Sequence, residues 1–160
     1  MRRLPLALLP IAAIAATATA APWGNDRGPG IAPRHDGGAL AYPVDGFTAI
    51  GLALPAQVDV RVGPAFSVRA TGPAQAFDDV RVTRNGTSLQ IEQRYRNRPR
   101  DERALRAVRF IVTMPRIAGA SIGGSGGITV DRVPGGQFDA AIGGSGSLTL
   151  GNIAVERLTG

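Results

Sequence analysis

The sequence predicts an all-β protein in which β-strands lead into a right-handed parallel β-helix, a β-solenoid with coils of about twenty residues. Three observations carry that expectation. From Phe47 onward, short runs alternate apolar and polar residues with a period of two and are broken by Gly or Pro. No stretch beyond the N-terminal region sustains a helical period of 3.6. Finally, "ASIGGSGGITVDRV" (120–133) returns as "AAIGGSGSLTLGNI" (140–153), an offset of twenty.

The N-terminus sets the compartment. Arg2 and Arg3 precede the apolar run "LPLALLPIAAIAA", and small residues end at Ala18-Thr19-Ala20. That order is a secretory signal peptide, with cleavage expected after Ala20, since a cut after Ala21 would leave Pro22 first. The chain is therefore expected to be exported to the periplasm, the outer cell surface or the medium. The sequence contains no cysteine, which excludes disulfide frameworks and thiolate chemistry. Its formal charge of +6 comes entirely from arginine over acid, with no lysine. Gly and Pro are abundant and aromatics make up only 5%, so the core should be thin and aliphatic.

Residues 21–44 place Pro or Gly every few positions without a period and read as a flexible linker. The domain is expected from 45 to 160. "FTAIGLAL", "AQVDVRVG", "FSVRATG", "VRVTRNG" and "TSLQIEQRY" read as successive strands. Val58, Val60 and Val62 should face inward while Asp59 and Arg61 face out. Asn85-Gly86 should close a tight hairpin, with both residues tolerating positive φ. "RDERALRAV" (100–108) offers one or two helical turns at most. "AVRFIVTMP" then reads as a strand with Val108, Phe110, Val112 and Met114 on one face, stopped by Pro115.

Between the last two strands lies "RYRNRPRDERALRAVR" (94–109), with seven arginines against Asp101 and Glu102. Arg94, Arg96, Arg98, Arg100 and Arg103 could bind phosphate or sulfate groups on an acidic polysaccharide or lipopolysaccharide. A solvated connection is the favoured reading, because Pro99 and the mixed charges suit a loop and only Tyr95 could stack. A nucleic-acid partner is not expected.

The repeat invites a catalytic reading, since Gly123-x-Ser125-x-Gly127 satisfies the nucleophile-elbow pattern. Strand pattern follows where a helix is needed, and the only histidine, His35, precedes the serine. The second copy keeps Gly143, Gly144, Ser145 and Gly146 but has Ser147 in place of the last Gly. A phosphate loop lacks its Gly-Lys-Ser/Thr, and zinc lacks ligands. Calcium turns fail because Asp131 becomes Gly151 in the next copy. No enzyme, cofactor or metal is therefore expected. Gly123, Gly124, Ser125 and Gly126, with their copies 143–146, are expected to be corners between strands, their glycines supplying positive φ and close approach. Phe138, Ala140 and Ile142 should alternate inward, then Leu148 and Leu150. Gly151-Asn152 should turn the chain so that Ile153 and Val155 begin a third face.

The order "FTAIGLALPAQVDVRVG", "LQI", "VRFIVTMP", "IGGSGGITV" and "IGGSGSLTL" resembles the head-GIN domain family, which carries the label of auto-transporter adhesin. The match covers about 47–160, and the doubled GSG corners are its most specific part. The resemblance implies a bacterial exported protein with a β-helix-like fold and supplies no catalytic residues. The expected function is thus a non-enzymatic adhesin or cell-envelope module, with a surface glycan or other envelope component as partner. Polyanion binding through the arginine loop is the alternative, and a carbohydrate-active enzyme is the second. The period enters a third coil at Gly160, so an open stack end is expected, continued by further sequence or paired with a partner.

Overall fold

The structure, a computed structural model, describes residues 30–95, 99–154 and 156–160. The expected signal peptide and residues 21–29 of the expected linker lie outside the described residues. Among the described residues, thirteen strands form two mixed sheets. The chain enters by an antiparallel hairpin of β1 (Arg34–Asp36) and β2 (Ala39–Tyr42). It then lays β3 (Ala49–Ala53) in one sheet and β4 (Gln57–Val62) in the other. Next, β5 (Ser67–Thr71) joins the sheet of β4, and a 3-10 turn at Ala74–Asp79 leads back to the sheet of β3. There β6 (Val80–Asn85) and β7 (Ser88–Gln93) form a second hairpin. The short helix α1 (Glu102–Arg106) precedes β8 (Arg109–Met114), which lies between β5 and β4.

From there the chain alternates between sheets. β9 (Gly119–Ile122), β11 (Gln137–Ile142) and β13 (Arg157–Thr159) extend the sheet of β3. β10 (Gly127–Pro134) and β12 (Ser147–Ala154) extend that of β4. The two sheets run β13-β11-β9-β3-β7-β6 and β1-β2-β5-β8-β4-β10-β12. Their strands pair off into rungs: β7 with β8, β3 with β4, β9 with β10, β11 with β12. The rungs are not stacked in chain order. β3/β4, first in sequence, lies between β7/β8 and β9/β10.

The sequence repeat is a spatial repeat. Ile128, Thr129 and Val130 stand parallel beside Leu148, Thr149 and Leu150, and Ala120 and Ile122 beside Ala140 and Ile142. Phe138 stands beside Leu158. Every one of these pairs is twenty residues apart. The period-two pattern explains the interior between the sheets: Val58, Val60, Phe110, Val112, Met114 and Val130 are all buried. Phe110, fully enclosed and with its ring centroid 6.1 Å from that of Tyr42, is the kind of side chain whose truncation to Ala costs roughly 3–5 kcal/mol.

Several expectations are corrected. Residues 34–42 are not linker: they form β1 and β2, and β2 pairs antiparallel with β5. Ala39 and Tyr42 are buried, and a four-residue strand is too short to betray its period beside so many turn residues. Asn85 ends β6 rather than occupying the turn; Gly86 alone of the pair has positive φ (58°). β12 runs through Gly151-Asn152 to Ala154 as one strand, in register with β10. On β10 the inward face changes at the matching positions: Val130 and Val133 are both buried although three apart, with Asp131 and Arg132 exposed between them.

The two ends of the stack differ. At one end β1 is short and charged, and β6 carries Arg81 and Arg84 with Ile31 donating its N–H to the Val82 carbonyl at 2.8 Å. At the other, Ile142, Ile153 and Leu158 are half exposed, whereas Ile122, Val133 and Phe138, twenty residues earlier, are buried.

Candidate functional site

The corners that carry the chain from one sheet to the other stack into a column. Gly123 N donates to Leu52 O at 2.8 Å and Gly127 N to Ala56 O at 3.0 Å, so the first GGSG lies on the corner Ala53-Leu54-Pro55-Ala56. One rung on, Gly143 N donates to Ile122 O at 2.7 Å and Ser147 N to Gly126 O at 3.1 Å. On the other side, Gln57 N donates to Val108 O at 3.1 Å, which places the described residues between β7 and β8, α1 among them, at the corner of the β7/β8 rung.

The expected role of the corner glycines needs correction in one respect. Of the six, only Gly144 has positive φ (126°). Two of the others serve close approach: a Cβ on Gly126 would lie 2.2 Å from Leu54 O, and one on Gly146 2.7 Å from Gly126 O, whereas one on Gly123 would meet nothing within 4 Å and one on Gly143 only Ile122 O at 3.8 Å. Gly124 has no atom nearer than 4.0 Å to such a Cβ, so it could carry a side chain.

Where the arginine loop meets the first GGSG corner, the column is indented by a notch of about 280 Å³. Ala53, Leu54 and Pro55 form its apolar wall and Gly123, Gly124 and Ser125 one edge; Gln93, Arg100 and Glu102 contribute the rest. Arg100 is fixed from two sides. Its Nη1 donates to Gln93 Oε1 at 2.7 Å and its Nη2 to Glu102 Oε1 at 3.1 Å. Arg106 Nη2 approaches the other Glu102 oxygen at 3.4 Å. The hydrogen bond and then the charge of Arg100 hold the Glu102 carboxyl below its usual range, with Arg106 adding less. α1 exists because Asp101 caps it, its Oδ1 accepting from Ala104 N at 3.0 Å, and because Ala104 and Leu105 are buried.

The five arginines singled out in the sequence separate. Arg100 lines the notch, Arg103 is exposed on α1, and the Arg94 guanidinium lies 4.9 Å from the centroid of its neighbour Tyr95. Arg96 and Arg98 lie outside the described residues. Ser125 is exposed, and His35 stands on β1, five strand spacings from β10 in the sheet, or about 24 Å. These two cannot form a nucleophile and base. The second corner, Gly143 to Gly146, lies one rung further from the arginine loop. Gln93 and the corner 53–56 were missed in sequence. Their signal was available: Leu52 and Val58 bracket that corner as Ile122 and Ile128 bracket GGSG.

The fold and site together define a mostly β domain of two mixed sheets, with a twenty-residue repeat in its last strands and shallow surface notches. A family model described as "Putative auto-transporter adhesin, head GIN domain" matches residues 46–160, and the chain belongs to that family. The fold is shared with a "putative adhesin" from Bacteroides fragilis NCTC 9343, at 17% identity and TM-score 0.68, covering 81% of this chain and 59% of the other. A "putative lipid binding protein" from Parabacteroides distasonis ATCC 8503 shares it at 14% identity and TM-score 0.55, covering 79% and 61%. A "putative adhesin" from Parabacteroides merdae ATCC 43184 matches at 11% identity and TM-score 0.51, covering 75% and 56%. The chain thus spans about three fifths of the length of these relatives. No curated protein matches its sequence.

Proposed function

We propose that this chain is a non-enzymatic binding domain of the bacterial cell envelope, exported by the signal peptide 1–20 and built as a right-handed parallel β-helix. The family match over residues 46–160 is the observation that carries the reading. The β-helix is supported by parallel pairing at an offset of twenty in both sheets, and its hand by the strong right-handed preference of β-crossover-β connections. Against an enzyme, the acidic residues on the coils are scattered: Asp59 pairs with Arg109 at 3.1 Å, and an Asp131 oxygen accepts the Val62 N–H at 3.0 Å. Neither is placed as one of the paired carboxylates that glycoside hydrolysis uses.

The test is binding of the chain from residue 21 onward to isolated envelope fractions and whole cells, beside a turnover panel of acidic polysaccharides. Saturable binding without turnover is the expected result. Turnover on any member of the panel would overturn it.

Polyanion capture by Arg94, Arg96, Arg98, Arg100 and Arg103 is the second reading, favoured by the exposure of Arg103 and Arg106 on α1. Retention on heparin that survives replacement of these five arginines by Ser would remove it.

A further inference from the structure

The notch at the corner column mixes groups in a way that a polyanion site does not. Its one guanidinium, Arg100, is already paired with Glu102, and Glu102 is further tied to Arg106. An incoming anion would therefore meet a carboxylate held in its charged form. What the lining offers instead is a balanced set: a guanidinium, an amide, a carboxylate and a hydroxyl, set around the aliphatic wall of Leu54 and Pro55. Among the described residues, the Gly124 and Ser125 N–H groups bond to no acceptor. Donors and acceptors interleaved about a small apolar wall match the alternating hydroxyls and C–H face of a pyranose. The volume, about 280 Å³, lies below the range of pockets for drug-sized ligands and suits a single ring.

We propose that this notch binds one neutral sugar ring of an envelope polysaccharide, with Arg100 and Gln93 as its fixed polar contacts. The assignment rests on the reading of the domain as an envelope-binding module and names its ligand class. Arg100 needs little ordering on binding, because Gln93 and Glu102 already hold it. No aromatic side chain lines the notch among the described residues, so affinity for one ring should be weak, on the order of millimolar.

The experiment is a titration of the ¹⁵N-labelled chain from residue 21 with the methyl glycosides of mannose and N-acetylglucosamine, beside sodium glucuronate and a heparin disaccharide. Expected is a set of amide shifts confined to the Ala53–Leu54, Gln93, Arg100 and Gly123–Ser125 region with at least one neutral glycoside. Arg100→Ala and Gln93→Ala should each weaken it, the former by about tenfold or more, with unchanged amide dispersion elsewhere. Glu102→Gln should raise glucuronate binding, because it removes the opposing carboxylate. The proposal is overturned if neither glycoside shifts these amides, if the shifts persist in Arg100→Ala, or if either anion binds the unaltered chain more tightly. Envelope binding measured on the same variants keeps the two readings apart. If it survives while the glycosides shift nothing, only the notch assignment fails.

Discussion

A methyl group on Gly126 would sit 2.2 Å from the Leu54 carbonyl oxygen and 2.6 Å from that of Ala56, and both are backbone atoms that cannot swing aside. Gly126→Ala is therefore expected to lower stability by several kcal/mol, of the order of the larger strain effects known for single substitutions. Two residues earlier the outcome reverses. Gly124→Ala meets nothing closer than 4.0 Å and should be close to neutral, as should Ser125→Ala at an exposed site. Denaturant midpoints of the three variants check this directly; equal losses at 124 and 126 would contradict the close-approach account. The sequence showed that these glycines matter but not which ones, because a requirement for close approach depends on the rung below. Tyr42 offers a second residue-scale test. Burial pushes its hydroxyl up to about 12, above an unfolded value of about 10. Its contribution is complete below pH 10 and is lost as pH rises from about 10 to 12, by roughly 2–3 kcal/mol. Tyr42→Phe should flatten stability across that window.

At the scale of elements, the junction of β4 and β10 shows how a strand ends. The backbone ladder between them stops at Val60 and Val130, yet β4 continues to Val62. The last residue is held by side chains instead: an Asp131 oxygen accepts the Val62 N–H at 3.0 Å, and the Arg132 guanidinium donates to the Val62 carbonyl. Asp131→Ala should leave that N–H without a partner and cost about 1–3 kcal/mol, read as a lower melting temperature. The same geometry explains why the repeat changes here. A side chain on Gly151 would meet the Asp131 carbonyl oxygen at 2.0 Å, so position 151 cannot repeat the aspartate. Long strands with strict alternation, β4 and β8 above all, were legible in sequence because their inward sets are unbroken. β1 and β2 were not, since three or four residues between glycines carry too little period. Shortening the chain to begin at residue 45 tests how much they matter. Loss of Ala39 and Tyr42 from the core should lower the melting temperature clearly, whereas a true linker would leave it unchanged.

The whole molecule was legible as a repeat from its last two rungs, and the notch was half legible. Arginine loop and GGSG corner each stood out, but their meeting depends on rung order, which no local pattern encodes. β3 pairs with β9 across seventy residues of chain, and β4 with β8 across fifty-two. Such separations make the central pairing the slow entropic step, while each later rung closes over only twenty residues.

Under the proposed export, with the chain threading out of the cell from its N-terminus, this order sets a timetable. The first rung finds no neighbour until β7 and then β8 have emerged, which opens an interval from residue 63 to residue 114, and its other edges wait for β9 and β10. A chaperone or a pause in translocation would matter in that interval, and much less once the GGSG coils begin to arrive.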